Sequence, residues 1–431
     1  MDPFTYKDGA LCAEEVPLAR IAAEVGTPFY CYSSAALLER YRAYVDAFAD
    51  VDAKVYYGVK ANPTLAIVRS LAEAGAGADV VSEGELRVAL AAGIAPADIV
   101  FSGVGKTRAE LAFAVETGIF QINVESEPEL ELLSQVAQAA GRQAAIAIRV
   151  NPDVDARTHA KITTGKKENK FGVPIDDARR LYARGAALPN LALRGVAMHI
   201  GSQLLELEPY RQAFARLVDL ARTLRADGHD IRRLDFGGGL GIAYHKEVPP
   251  DVRDYAAMVK AAVKGLDCRL MFEPGRFLVG NAGVLVTRVI HVKQGAAHRF
   301  VIVDAAMNDL LRPTLYDAYH AIRPVAEPAA GAIPEPVDVV GPVCESGDIF
   351  ARARPLPPVI SGDLLAICTA GAYASSMSST YNSRLPAAEV LVKGQRYAVV
   401  RPRPRYEDLI ARDRLPDWLG ERADKPARGA A

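Results

Sequence analysis

Several short strings in this chain carry side chains of reactive type. Tyr57-Gly58-Val59-Lys60-Ala61-Asn62 places a lysine at the end of an apolar run, and Ala78-Asp79-Val80-Val81-Ser82 places a carboxylate inside another. Further along stand Met198-His199-Ile200-Gly201-Ser202-Gln203, Gly237-Gly238-Gly239-Leu240-Gly241 and Glu273-Pro274-Gly275-Arg276. Each has a plain explanation when taken alone. A lysine at a strand end usually snorkels to solvent, and a lone histidine is usually a satisfied core residue. An acid can cap a helix, and glycines punctuate turns. Together they supply a rarer set. Lys60 is an amine able to attack a carbonyl, and desolvation is expected to lower its pKa toward that role. The glycine run can present N–H groups to a phosphate. Glu273 can face a ring nitrogen and hold its proton. An aldehyde, a phosphate and a basic ring nitrogen are the parts of pyridoxal phosphate.

Rival motifs are incomplete. Gly105-Lys106-Thr107 ends like a phosphate-binding loop, but Val100 stands where its first glycine belongs. Gly237-Gly238-Gly239 does not extend to a dinucleotide fingerprint, because Ile242 replaces the last glycine. No His-Glu-x-x-His string occurs and the histidines form no metal-spaced pair, so no metal site is expected.

Side chains this far apart in sequence need elements that end at one place. Apolar runs at 54–59, 78–81, 99–101, 120–124, 144–150, 195–200, 233–236 and 269–272 alternate with Ala/Leu-rich helical segments. Continuous apolar runs suit parallel strands buried on both faces. The pattern fits an α/β fold, a (β/α)8 barrel, better than an open doubly wound sheet, and a barrel collects its active site at the C-terminal strand ends. After about residue 281 the pattern changes to strands at 284–292, 299–303, 337–340, 364–368, 390–392 and 397–400, joined by Gly/Pro-rich turns. The expected domains are a cofactor-binding barrel over 33–280 and an all-β domain over 281–431, completed by residues 1–32. The Arg401–Arg405 region reads as a solvated tail with a short helix.

The 431 residues carry 51 Lys+Arg against 52 Asp+Glu, a net charge of -1 that argues against nucleic acid as main partner. No apolar run approaches the ~18 residues of a membrane span, and no secretory signal opens the chain. The five cysteines are scattered and odd in number, which favours a reducing cytoplasm over a disulfide framework.

The strings quoted above resemble those of the fold-type III pyridoxal-phosphate decarboxylases. Arg312-Pro313-Thr314-Leu315-Tyr316, Cys344-Glu345-Ser346-Gly347-Asp348 and Gly371-Ala372-Tyr373 continue the resemblance in register. It implies that Lys60 links covalently to the cofactor, that His199 stacks on its ring, and that Glu273 binds the ring nitrogen with Asp79 behind it. Ser202, the amides of Gly238, Gly239, Gly275 and Arg276, and Tyr373 would hold the phosphate. Arg276, Arg312 and Tyr316, with Tyr373, would grip the carboxylate of the substrate end that does not react. Cys344 and Glu345 would come from the second subunit of a homodimer, Glu345 to read the distal ammonium and Cys344 as a candidate proton donor. Lys170-Phe171-Gly172 matches a family string near a mobile loop, with Asn169 where the family usually has serine.

Within the family, Glu345 after Cys344 is similar to the branch acting on diaminopimelate, since ornithine-type enzymes tend to carry Asp there. The expected reaction is decarboxylation of meso-diaminopimelate to L-lysine; decarboxylation of ornithine, arginine or lysine is the alternative. An alanine racemase would place an arginine where Glu273 stands. A non-catalytic cofactor carrier would not need the Arg312–Tyr316 and Cys344-Glu345 strings.

Overall fold

Alternation along the barrel strands decides where each side chain goes. Successive strand residues point to opposite faces, and in Gln121–Val124 the residues Ile122 and Val124 join the core under the helices while Gln121 and Asn123 face inward. The same alternation turns Asp79 inward from Gly77–Val80, and Arg149 and Asn151 inward from Ala144–Asn151. It turns Arg233 and Asp235 inward from Arg233–Asp235. Lower in the barrel Tyr56, Val100 and Met271 form a separate apolar plug backed by Phe120. The polar residues above that plug are therefore the floor of a cavity.

The computed structural model describes residues 2–155 and 169–420. Ala53–Gly58, Gly77–Val80, Ile99–Phe101, Gln121–Val124, Ala144–Asn151, Leu191–Met198, Arg233–Asp235 and Arg269–Phe272 pair in that order, all parallel, and the last closes on the first. This is the expected (β/α)8 barrel. Helix starts between the strands are set by side-chain caps: Ser82 to Glu85 N–H, Ser126 to Glu129 N–H, and a reciprocal box between Thr107 and Glu110. The sixth strand starts earlier than the apolar pattern indicates, because its register shifts between Leu193 and Gly195 and Arg194 interrupts the pattern.

Beyond the barrel, a mixed sheet is built on the long strand Gly283–Gln294, which pairs antiparallel with Arg299–Val303; Glu335–Val340 joins that strand in parallel and Ile349–Leu356 follows antiparallel. Phe29–Ser33 pairs antiparallel with Gly283–Gln294 and parallel with Ala388–Lys393, so the N-terminal segment is woven into this sheet. Ile349–Leu356 and Ile322–Pro324 are strands that the sequence pattern does not signal. Arg352, Arg354 and the prolines make those segments read as loops. The expected solvated tail is found, since no residue of 401–419 is buried, but its start is anchored. Arg401 pairs with the buried Glu389, and Arg403 donates to the Pro28 carbonyl. The short helix Tyr406–Ile410 follows.

Candidate active site

At the C-terminal ends of the barrel strands lies a cavity of about 660 Å3, lined among others by Lys60, His199, Ser202, Glu273, Arg276, Arg312, Tyr316 and Tyr373. Lys60 sits in a single 3-10 turn, Val59–Ala61, at the end of the first strand. That turn is fixed from below and from the β-domain. Tyr57 Oη donates to the Asn62 carbonyl, Asn62 Nδ2 donates to the Gly371 carbonyl, and Tyr373 N–H donates to the Ala61 carbonyl at 2.8 Å. The Gly371-Ala372-Tyr373 string is thus bolted to the lysine it was expected to serve.

Lys60 Nζ lies 3.1 Å from Asp79 Oδ2; the lysine side chain is 37% exposed and Asp79 0%. The expected lowering of the lysine pKa is not found. Burial does oppose its charge, but Asp79, Tyr373 and Glu273 outweigh burial and hold the amine above its ordinary value. Asp79 Oδ1 is buried without a partner among the described residues, so this carboxylate keeps an unfilled acceptor.

Beside this pair, Asp235, Glu273, Asn123 and Ser102 form one network. Asp235 accepts from Gly237 N–H at 2.9 Å and from Asn123 Nδ2 at 2.9 Å. Glu273 Oε1 accepts from Asn123 Nδ2 and Ser102 Oγ, both at 3.3 Å. Burial, then Asp235 and Asp79, push the Glu273 carboxyl well above the usual carboxylate range, with Lys60 opposing them. Of the coupled acids, Glu273 keeps the proton, because Asp235 already accepts two N–H donors that stabilise its charge.

His199 Nδ1 accepts from Gly238 N–H at 3.1 Å, which puts any single ring proton on Nε2. Burial, followed by Arg149 and Lys60, lowers its pKa well below normal, so the ring is neutral. The Gly238 amide, expected to hold a phosphate, is therefore engaged by His199 in this structure. The glycines are required by close packing: a Cβ on Gly238 would lie 2.2 Å from the Glu273 carbonyl oxygen. One on Gly239, at φ +104, would lie 2.3 Å from the Gly201 carbonyl oxygen.

On the opposite wall, Arg276 donates from Nε and Nη2 to Ser202 Oγ at 3.4 and 3.2 Å and from Nη1 to Tyr244 Oη. Its guanidinium also lies 4.7 Å from the centre of the Tyr373 ring. Arg312 opens the short helix Arg312–Tyr316 and lies 4.4 Å from the centre of the Tyr244 ring. Phe171 of the Lys170-Phe171-Gly172 string lines the cavity, with the Arg149 guanidinium 4.9 Å from its ring centre, while Gly172 N–H donates to Glu125. Residues 156–168 of the expected loop lie outside the described residues.

Cys344 and Glu345 do not line the cavity. Both are exposed; Cys344 N–H donates to Asn382 Oδ1 at 3.0 Å, and Glu345 pairs with Tyr381. Among the described residues no group of three or more His, Cys, Asp or Glu is arranged to hold a metal. Asp235, Asn123, Ser102 and Tyr244 carry no sequence motif; alternation within the strands is the signal for the first two. Lys106 of the false phosphate loop is buried against Glu129 at 2.7 Å and caps its own turn at the Gly103 carbonyl.

The donor set fits pyridoxal phosphate on the structure's own terms. It offers an amine for an aldehyde, a protonated carboxyl for a ring nitrogen, an unfilled acceptor at Asp79, and guanidinium and amide donors for anions. Comparison with known proteins agrees. The model of the pyridoxal binding domain of pyridoxal-dependent decarboxylases matches residues 12–280. The diaminopimelate decarboxylase of Zymomonas mobilis is 50% identical over 424 residues, 97% of this chain and 100% of its own. That of Pseudomonas aeruginosa is 50% identical over 418 residues, 96% of this chain and 99% of its own. The crystal structure of diaminopimelate decarboxylase from Helicobacter pylori complexed with L-lysine superposes with a TM-score of 0.88 at 43% identity, over 91% of this chain and 98% of that one. Identity of this order across both parts of the fold places the chain in the diaminopimelate decarboxylase family of pyridoxal-dependent decarboxylases.

Proposed function

We propose that the chain catalyses decarboxylation of meso-2,6-diaminopimelate to L-lysine and carbon dioxide, the last step of lysine biosynthesis. The observation that carries the choice of substrate is the pair Arg276 and Arg312. Neither has an ion-pair partner among the described residues, and both face the cavity that holds Lys60. Diaminopimelate has a carboxylate at the end that does not react, and guanidinia recognise carboxylates. Ornithine, lysine and arginine present a cation at that end, which two guanidinia would repel.

Bound pyridoxal phosphate supplies the electron sink for the bonding pair left when carbon dioxide departs. Lys60 is the residue that binds it covalently, and Asp79, at 3.1 Å from Nζ, holds the amine in place. Glu273 holds the proton to be shared with the ring nitrogen, and Asp235 holds Glu273. His199, kept neutral by burial, offers a flat ring face without adding charge. Ser202 and the amides of Gly239, Gly275 and Arg276 are the phosphate donors, with Tyr373. Arg276, Arg312 and Tyr316 grip the distal carboxylate, and Phe171 with Arg149 closes one side against water. The proton returned to the reacting carbon comes from Lys60 or from Cys344 of the partner subunit.

The active form is a homodimer. Exposure of Cys344 and Glu345, away from the cavity of their own chain, supports their service in a second copy. A shared site has a direct test. Mixing inactive Lys60→Ala chains with inactive Cys344→Ala/Glu345→Ala chains should restore up to about a quarter of the normal activity, since random pairing rebuilds one intact site in four; no restoration contradicts sharing. The barrel over 33–280 carries most of the cofactor contacts, and the β-domain over 281–431 with 1–32 adds Arg312, Tyr316 and Tyr373 for the substrate and the residues of the dimer interface. Five free cysteines support a cytoplasmic setting, and among the described residues no helix is long and apolar enough to cross a membrane. Steady-state assays with meso-diaminopimelate, ornithine, arginine and lysine test the substrate; exclusive turnover of ornithine would refute it.

A further inference from the structure

The basic wall of the cavity rests on a histidine that the reaction itself does not use. His320 is 0% exposed, and both of its ring nitrogens are engaged. Arg312 Nη1 lies 2.8 Å from Nε2, and the Cys368 carbonyl oxygen lies 2.8 Å from Nδ1. A guanidinium can only donate and a carbonyl can only accept. Nε2 therefore carries no proton and accepts from Arg312, while Nδ1–H donates to Cys368. A doubly protonated ring would set N–H against N–H. Burial, followed by Arg312, brings the His320 pKa down to about 3, so the ring is neutral under working conditions.

The charged groups around this ring are all cations: Arg312, Arg276 and Arg354, whose Nη1 donates to the His320 carbonyl. Tyr244 packs edge-on against the imidazole, 5.5 Å between centres at 82°, and lies against the Arg312 guanidinium. The guanidinium is thus held on one edge by an uncharged acceptor and on its face by a ring. Its buried Nε has no partner. An aliphatic side chain at 320 would leave Nη1 without its acceptor. A carboxylate there would satisfy Nη1 but cancel the charge.

We propose that His320 is a positioning residue for Arg312, fixing the guanidinium toward the cavity without neutralising it, and so sets the preference for ligands with a carboxylate at the non-reacting end. This rests on the reading of diaminopimelate as substrate and assigns that selectivity a support outside the contact residues.

The test uses cofactor-loaded enzyme with His320→Leu, His320→Glu and His320→Gln. Two probes compete with meso-diaminopimelate: L-lysine, which keeps the distal carboxylate, and cadaverine, the same diamine without it. The Leu and Glu variants should raise the KM for diaminopimelate and the inhibition constant of lysine by about 10- to 100-fold, the effect of losing one charge-assisted hydrogen bond. Their kcat and the inhibition constant of cadaverine should stay within about threefold of normal. The Gln variant, an uncharged acceptor, should recover most of the loss. A residue that merely stabilised the fold would shift lysine and cadaverine together; equal shifts, or no shift for lysine, overturn the proposal. Should the Leu variant fail to fold, the Glu and Gln pair gives the same contrast. Wild-type enzyme inert toward diaminopimelate would count against the substrate instead, and direct binding of lysine and cadaverine to the loaded enzyme, read from the cofactor absorbance, would still judge His320.

Discussion

On one side of the cavity Asp79, Asp235 and Glu273 crowd around Lys60, all carried at the ends of barrel strands. On the other, Arg276 and Arg312 stand with Tyr244 and His320, carried by the segments after the seventh and eighth barrel strands and by the β-domain. Among the described residues the floor has three buried carboxylates for one ammonium, and burial with the neighbouring acids pushes the Glu273 carboxyl well above the usual range. The wall has two guanidinia without a carboxylate partner among the described residues. A surplus of acid suits a cofactor with a basic ring nitrogen, and a surplus of base suits a substrate carboxylate. Buried charge that is unpaired within the protein is costly. Opposite surpluses in one cavity are therefore the imprint of two ligands.

Breaking the floor should have the largest effects. Lys60→Ala should remove the absorbance band of the lysine-linked cofactor and lower kcat by more than about 1,000-fold; an undiminished band contradicts the role of Lys60. Glu273→Gln keeps the shape but not the ionisable proton, and kcat should fall roughly 100-fold with KM little changed. Breaking the wall should act on binding instead. Arg312→Met should raise KM by about 10- to 100-fold while kcat changes little, and a loss confined to kcat would show that the two sides are not separable in this way.

The smallest expected effect sits just behind the floor. Glu85 accepts a hydrogen bond from Val81 N–H at 2.9 Å, and burial raises its pKa from 4.5 to about 7, with Val81 and Lys60 opposing. A raised carboxyl pKa means that the folded state binds the proton more tightly than the unfolded one. Its favourable contribution is complete below about pH 4.5 and is lost as pH rises through about 7. Glu85→Gln should therefore stabilise the protein at pH 8 by about 1–2 kcal/mol, discounted for partial exposure, and by much less near pH 5. Thermal melting of the two proteins at both pH values checks this; an equal gain at pH 5 would mean that charge is not the cause.

Much of the site is legible in the amino-acid sequence. Lys60, His199, Glu273 and Arg276 follow apolar strands, and a parallel barrel has only one place to gather such residues. Electrostatic sign is what the sequence does not carry. Desolvation alone lowers a lysine pKa, and only the 3.1 Å approach of Asp79 reverses that at Lys60. Asp235 and Asn123 are hidden by the brevity of their strands, where a polar residue in a run of three or four reads as a strand end rather than as an inward face. The anchoring of Arg401 and Arg403 at the start of the solvated tail is not legible because their partners, Glu389 and Pro28, are brought to them only by the pairing of the N-terminal strand. His320 belongs to no motif at all; its partner Arg312 is eight residues away, and its second contact is a backbone carbonyl.

An acid floor for pyridoxal phosphate facing a basic wall for a distal carboxylate is tested most simply by carbon dioxide release from meso-diaminopimelate, with and without added pyridoxal phosphate. Equal amounts of carbon dioxide and L-lysine are expected, in dependence on the cofactor. Release that does not depend on pyridoxal phosphate, or no release from this substrate by the loaded enzyme, would contradict that arrangement.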